Sequence, residues 1–395
     1  MTGWAMVAVR EVADVFDGPH ATPAKTEEGP WYLSISSLSN GRFSFAQSAH
    51  LSDVDLPRWT KRVAPRPGDT LFSYETRLGE AAYWDHDVPA ALGRRMGLLR
   101  PKQGMVEPRY LAYAYLGPQF QDVIREKTLH GATVNRIPVG EMPSWPILLP
   151  QIEDQRAILG ILDAIDDLIE NNRRRVAVLE EMVRAIYREW FVKFRYPGHE
   201  DVPIVDSTLG PIPEEWFAGT VGDALELKYG KALKADTRRG GEIAVVSSAG
   251  IVGWHDESLV GGPAVVVGRK GNVGSVHWVD GPCWPIDTAY YVVTSLPLRF
   301  VVEQLRRTEF TNTHAAVPGL SRDGAYARPF LIPPTDLLDS YQGTVDPLGA
   351  EASALTRQSD RLGSLRDLLL PKLVTGQIDV SALDLDALVA EGVGS

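Results

Sequence analysis

Two stretches of this chain repeat each other at a constant separation of 183 residues, which limits the folds open to it more than any other feature. Pro146, Pro150, Ile158, Asp163, Ile165, Leu179, Met182 and Ile186 match Pro329, Pro333, Tyr341, Asp346, Leu348, Leu362, Leu365 and Leu369 in turn, with no gap. Repetition of this kind marks a reused supersecondary unit. Here the unit is a globular head followed by a long helix.

The chain has 395 residues, room for two cores and a helical region. No uncharged apolar run approaches the roughly 18 to 20 residues of a membrane span. Met1 to Arg10 lacks a basic segment followed by an apolar stretch, so no secretory signal is expected and the cytoplasm is the expected location. The single cysteine, Cys283, excludes an internal disulfide and a cysteine-rich zinc site. A net charge of −11 argues against a nucleic-acid partner, because neutralising phosphates requires Lys and Arg. The charge is uneven, however. Residues 1–150 carry 16 basic and 16 acidic side chains, whereas residues 335–395 carry 4 and 10. Neutral heads can still present basic faces, and an acidic rod and tail can meet a basic protein.

The expected partition is a first head over 1–150, a helical region over 151–197, a second head over 198–334, a helical region over 335–376 and a tail over 377–395. The first head reads as short strands at Trp31 to Ile35, Asn40 to Phe45, Asp69 to Tyr74 and Ala81 to Trp84, with one helix near Glu107 to Arg125. From Glu153 to Phe194 the period is helical. Ile158, Ile165, Asn172, Leu179 and Ile186 fall on heptad position a, Ile161, Leu168 and Met182 on d, and Leu162, Ile169, Val176, Val183 and Trp190 on e. The second rod repeats Leu348, Leu355, Leu362 and Leu369 every seven residues and is the natural partner for so wide a stripe. The expected fold is α+β: two globular α/β heads joined by long helices that pair as an antiparallel coiled coil, with a pseudo-two-fold internal repeat.

Two features suggest that the rods are interrupted. Asp163 and Asp346 suit helix N-caps, Asp346 being followed by Pro347. Gly343, Gly349 and Gly363 each cost about 1 kcal/mol relative to Ala in a helix. The second head opens with Trp216, Val221, Leu227 and Gly230, which match Trp4, Val9, Val15 and Gly18 at an offset of 212. Matching Trp84 to Trp278 needs 194, and His130 to His314 needs 184.

Gly268 to Gly274 follows the apolar run Ala264 to Val267, but Ser275 to Val279 continues as a strand rather than a helix. A hairpin loop fits better than a phosphate cradle. Arg269, Lys270 and Asn272 at its tip are candidates for touching DNA, and Arg77 stands in the equivalent loop, Ser73 to Gly79. Further candidates are Arg58, Lys61 and Arg62; Arg94 and Arg95; and Lys231, Lys234, Arg238 and Arg239. Asn135 and Arg136, and Arg322, sit in turns just before each rod, where a structural turn and a contact loop both fit. Solvated charge is the alternative for each cluster taken singly. The sequence contains no Walker loop, His-Glu-x-x-His pair, Gly-x-Ser-x-Gly elbow or Asn-Pro-Pro-aromatic segment, and no glycine-rich loop opening a helix for a methyl donor. Catalysis by this chain alone is not expected.

Leu149-Pro150-Gln151-Ile152-Glu153-Asp154-Gln155-Arg156-Ala157-Ile158, with Leu179 to Phe194, resembles the central conserved region of type I restriction-modification specificity subunits. Gly210-Pro211-Ile212-Pro213-Glu214-Glu215-Trp216 is similar to the entry to that family's second target-recognition domain. Leu365-Arg366-Asp367-Leu368-Leu369-Leu370-Pro371-Lys372-Leu373-Val374-Thr375-Gly376 resembles its distal conserved region. The resemblance covers nearly the whole chain. It implies a non-catalytic subunit in which each head reads one half of a split double-stranded DNA site and the rods set the unread gap. It also implies docking of two modification subunits, which hold S-adenosylmethionine and methylate adenine, and of restriction subunits that use ATP with Mg. No cofactor is expected on this chain, and no membrane contact. The alternatives are a stand-alone DNA methyltransferase with fused recognition heads and a coiled-coil scaffold unrelated to DNA.

Overall fold

A computed structural model describes residues 4–39, 41–131, 134–310 and 319–380. The chain divides into two compact units, one holding the described residues up to Glu170 and from Asp360 onward, the other Asn171–Ser359. Each unit combines a head with part of both long helices.

In the first unit, Ala13–Asp17, Met96–Pro101, Thr70–Ser73 and Ala81–Tyr83 lie side by side in that order, every neighbouring pair antiparallel. A smaller mixed sheet sets Thr26–Tyr32 between Ala49–His50 and Ala90–Ala91. The second unit repeats both sheets. Its four strands run Glu226–Tyr229, Ala289–Val293, Ala264–Gly268, Val276–Val279, and its smaller sheet sets Ile243–Ser247 between Gly250–His255 and Cys283–Pro285. In the first head the first strand pairs with the last, Ala5 opposite Leu149; in the second, after a hairpin of Ile204–Ser207 with Gly210–Pro213, the corresponding strands pair with Phe217 opposite Ile332. That pairing reconciles the offsets of 212 and 183, because one governs where a head begins and the other where it hands over to its helix.

The sheet registers correct one equivalence. Thr70 opposite Tyr83 occupies the place of Val265 opposite Trp278, so the counterpart of Trp278 is Tyr83, not Trp84. Trp84 is buried in a separate core. The strand expected from Trp31 to Ile35 ends at Tyr32, because Ile35–Ser37 closes a 3-10 turn capped by Ser34. The expected strand from Asn40 to Phe45 is reduced to Leu38–Ser39 paired with Arg42–Phe43, and Asn40 itself lies outside the described residues. The single helix expected near Glu107 to Arg125 is two, Pro108–Leu116 and Pro118–Lys127, since Pro118 has no N–H to continue the first.

Neither rod is interrupted. The proximal helix runs Ile152–Tyr187 and passes into a π turn over Arg188–Val192; the distal helix runs Thr335–Leu373. Pro347 costs roughly 3 kcal/mol in a helix interior. The buried Tyr341 and Val345 on one side and Leu355 on the other offset this, each fully buried side chain contributing about 1.5 to 3 kcal/mol. Asp163 and Asp346 cap nothing: each meets an arginine of its own head, Arg109 and Arg299.

Within each unit the two helices run antiparallel. In the first, Asp166 accepts from Arg366 at 3.2 Å. In the second, Asn172 donates to Gln358 at 3.0 Å and Arg175 pairs with Glu351 at 2.6 Å. Ile158, Ile165, Asn172, Leu179 and Leu355 are buried, and Ile186, Trp190, Leu348, Leu362 and Leu369 are partly buried. The stripe that closes is a with e, not a with d. Leu162, Ile169 and Val183 are buried whereas Leu168 and Met182 are exposed, because each head's core packs on the e flank. Beyond the distal helix, Val374 and Val380 join the first head's core, and residues 381–395 lie outside the described part.

Candidate nucleic-acid interface

Each unit joins the hairpin loop of its main sheet to the segment just before its last strand. In the second unit, Leu320 N–H donates to the Arg269 carbonyl at 2.8 Å, and Lys270 bridges to Gly319. In the first, Ile137 N–H donates to the Tyr74 carbonyl at 2.9 Å, and Glu75 bridges to Arg136. Ile137 and Leu320, like Arg136 and Gly319, stand 183 residues apart, so the repeat extends into the loops.

The side chains on this shared frame differ. In the second unit Tyr229, Arg269, Lys270, Tyr290, Arg322 and Asp323 line a cleft of about 290 Å³. The Arg269 guanidinium lies 4.9 Å from the Tyr229 ring centre and 5.9 Å from that of Tyr290, and donates to the Asp287 carbonyl at 3.1 Å. Arg322 lies over Tyr229 at 5.4 Å. Tyr290 donates its hydroxyl to the Leu320 carbonyl at 2.9 Å; burial, then the neighbouring Tyr229, pushes its pKa up to about 12, so it remains a donor. Lys270 and Asn272 are exposed at the loop tip.

In the first unit the matching place is largely neutralised. Arg95, held at φ 71°, pairs with Glu75 at 2.6 Å, and Arg77 pairs with Glu80 at 3.3 Å. Asn135, Arg136 and Arg94 are exposed beside them. Burial, then Asp17 and Glu75, pushes the Tyr74 pKa up to about 12.

The remaining candidates stand apart from these loops. Arg58 lies against Trp59 at 5.9 Å, Lys61 is exposed, and Arg62 pairs with Asp17 at 2.6 Å. Lys231 lies over Trp284 at 5.8 Å and Lys234 is exposed. Arg238 donates to the Val252 carbonyl at 2.6 Å, and Arg239 is held by Asp256 at 3.0 Å and Glu257 at 2.5 Å. His314, matched in sequence to His130, falls outside the described residues, as does the rest of the segment up to position 318. Among the described residues no cluster of His, Cys, Asp and Glu could hold a metal ion, and no helix is long and apolar enough to cross a membrane.

Sequence reasoning missed two features. Tyr229 and Tyr290 form the wall of the second unit's cleft; the period-2 pattern of their strands marks them only as strand residues. The other is exposed apolar surface on the helices: Leu168, Leu365 and Leu368 in the first unit, Val178 and Met182 in the second. Met182 and Leu365 are counterparts at 183 residues, so the repeat itself carried that signal.

Comparison with known proteins agrees with this architecture. Residues 1–181 match the type I restriction modification DNA specificity domain. The type I restriction enzyme MjaIX specificity subunit of Methanocaldococcus jannaschii is 20% identical over 96% of this chain and 94% of its own length. The putative MjaX specificity subunit of the same organism is 25% identical over 57% of this chain and 53% of its own. The crystal structure of the type I restriction-modification S subunit from M. genitalium shares the fold, with a TM-score of 0.56 at 15% identity over 94% of this chain and 96% of that one. The class is thus a two-headed α+β protein built on paired helices. Over nearly its whole length the chain is similar to a specificity subunit of a type I restriction enzyme, and its first 181 residues match that family's DNA specificity domain.

Proposed function

We propose that this chain is the DNA-reading subunit of a type I restriction-modification complex, each head reading one half of a bipartite double-stranded site while the paired helices fix the unread gap. The observation that carries this reading is the matched loop and pre-helix segment in each unit, one frame carrying two different sets of side chains. Identical frames with different tips are what two different half-sites require. The DNA-facing residues in this reading are Arg269, Lys270, Asn272 and Arg322 in the second head and Arg77, Arg94, Arg95, Asn135 and Arg136 in the first. Arg77 and Arg95 contribute less than their neighbours, as do Arg62 and Arg239, all four being held by acids.

The exposed apolar side chains spaced one helical turn apart in each unit, Leu365 with Leu368 and Val178 with Met182, support docking of one modification subunit per unit. Adenine methylation with S-adenosylmethionine then belongs to those subunits, and ATP with Mg to any restriction subunit. The chain orients the DNA and carries out no chemistry. Exchanging residues 1–145 for the head of another family member, followed by mapping of methylated adenines in the host DNA, tests the reading. One half of the site is expected to change and the other to persist; a change in both halves refutes the division of labour.

A further inference from the structure

We infer that Arg322 and Asp323 together read a G·C base pair in the half-site of the second head, with Tyr229 as the mount that holds Arg322 in place. This rests on the DNA-reading function proposed above and assigns a base pair to one of its sites.

A guanidinium reads guanine when its planar fork is held still and its N–H groups are free to reach O6 and N7. Arg322 meets both conditions. It is stacked on Tyr229 at 5.4 Å, and among the described residues it has no ionic partner. Arg269 covers the same ring at 4.9 Å, but one of its N–H groups is already given to the Asp287 carbonyl. Arg269 thus has part of its fork tied to the frame, and Arg322 is the free fork.

Asp323 decides between a base edge and a phosphate. Asp323 is exposed and lines the same cleft as Arg322. Three cations face this one carboxylate, so charge alone also suits a phosphate; what the carboxylate adds is an acceptor, which a phosphate has no donor to meet and a base edge has. In the major groove a G·C pair presents the guanine acceptors O6 and N7 next to the cytosine N4 donor, and a carboxylate accepts from N4. An arginine and an aspartate side by side match that row of acceptor, acceptor and donor. Lys270 and Asn272, exposed at the loop tip, are left for the flanking phosphates. The first head lacks the pair: the counterparts of Arg322 and Asp323 at 183 residues are Val139 and Gly140.

The test uses the chain assembled with its modification subunits. Its site is first mapped from methylated adenines, and each base pair of the second half-site is then varied in synthetic duplexes while binding is measured at fixed salt. The expected result is one G·C position at which wild type discriminates about 5- to 150-fold and at which R322A and R322K both lose that discrimination. Y229F, which keeps the ring, should retain it, and Y229L should lose it. D323A should weaken binding to the mapped site while tightening binding to unrelated duplex. A uniform loss across all sequences in R322A, or tighter binding to the mapped site in D323A, makes the cleft a phosphate clamp and overturns the inference while leaving DNA reading intact. A second half-site without G·C overturns it equally. If the assembled complex yields no bipartite site, the proposed function itself fails and this inference with it.

Discussion

Arg299 Nε lies 3.2 Å from Asp346 Oδ1 and repeats, in the second unit, the 3.0 Å approach of Arg109 Nε to Asp163 Oδ1 in the first. Both arginines are the second residue of a head helix, Leu298–Arg307 and Pro108–Leu116, and both lie over an aromatic ring of the same sheet position, Trp278 at 4.5 Å and Tyr83 at 5.9 Å. Each head is thus fastened to its rod by one arginine clamped between a ring and a carboxylate. In the second unit the fastening also needs Gly349, because a Cβ there would stand 1.9 Å from the Arg299 Cζ.

The partly exposed Arg299–Asp346 pair is expected to couple by about 0.5 to 1 kcal/mol, read from a double-mutant cycle of R299A and D346A in thermal unfolding. G349A, which displaces the guanidinium, should abolish the coupling. A coupling that survives G349A would show that the glycine is not what admits Arg299.

Asp166 gives a prediction in pH. Burial alone would raise its pKa, but hydrogen bonding from Arg42, the charges of Arg42 and Arg366 and the Tyr113 hydroxyl outweigh burial and hold it below the usual carboxylate value. A depressed folded pKa stabilises the native state above the unfolded value, and the stabilisation is lost as pH falls through the folded one. D166N should therefore be less stable than wild type by about 1 to 3 kcal/mol at neutral pH. The difference should hold down to about pH 5 and close below about pH 4. Asp163 moves the opposite way, raised by burial and then by the charges of Asp167 and Asp166 against Arg109, so it favours folding on the acid side and does not mimic the Asp166 effect. Thermal midpoints of both proteins across this range decide it; a difference independent of pH would remove the charge argument.

The repeat, the two heads and the helix pairing were legible because they rest on spacing, which a sequence displays directly. The breaks expected at Asp163 and Asp346 were misread for a specific reason. Asp346 followed by Pro347 is a strong local signal, and what outweighs it is nonlocal: Tyr341 and Val345 are buried in the second head's core, while Arg109 and Arg299, 54 and 47 residues away in sequence, take up the two carboxylates. The heptad assignment failed in the same way at Leu168 and Met182, since nothing in a helix's own sequence says that a head will cover its e flank. Of the candidate cations, type and loop position were readable, but whether an acid lay within reach was not. Arg95 and Arg269 look alike in sequence, yet one meets Glu75 and the other two tyrosine rings.

Met182 and Leu365 occupy equivalent places in the two units and remain 44% and 45% exposed. If each marks a docking surface for one modification subunit, M182E and L365E should each reduce the assembled complex from two such subunits to one, and the double variant should bind none. Native mass spectrometry of the purified complex reads the stoichiometry directly. Stability of the chain itself should change by no more than about 0.5 kcal/mol, the usual limit for exposed positions. Two subunits retained by the double variant would place the docking surface elsewhere.

The paired helices make the last prediction quantitative. A helix rises about 1.5 Å per residue, so one added heptad lengthens it by about 10 Å, roughly three base pairs of duplex at 3.4 Å each. An insertion in one helix alone would offset Asn172 from Gln358 and Arg175 from Glu351, so the heptad must enter both, after Asn171 and after Gln358. Seven residues keep each face in phase with its partner, which four would not. The matched variant should methylate a site with the same two half-sequences and a gap about three base pairs longer, whereas the single insertion should lose activity. An unchanged gap in the matched variant would show that the helices do not measure the DNA.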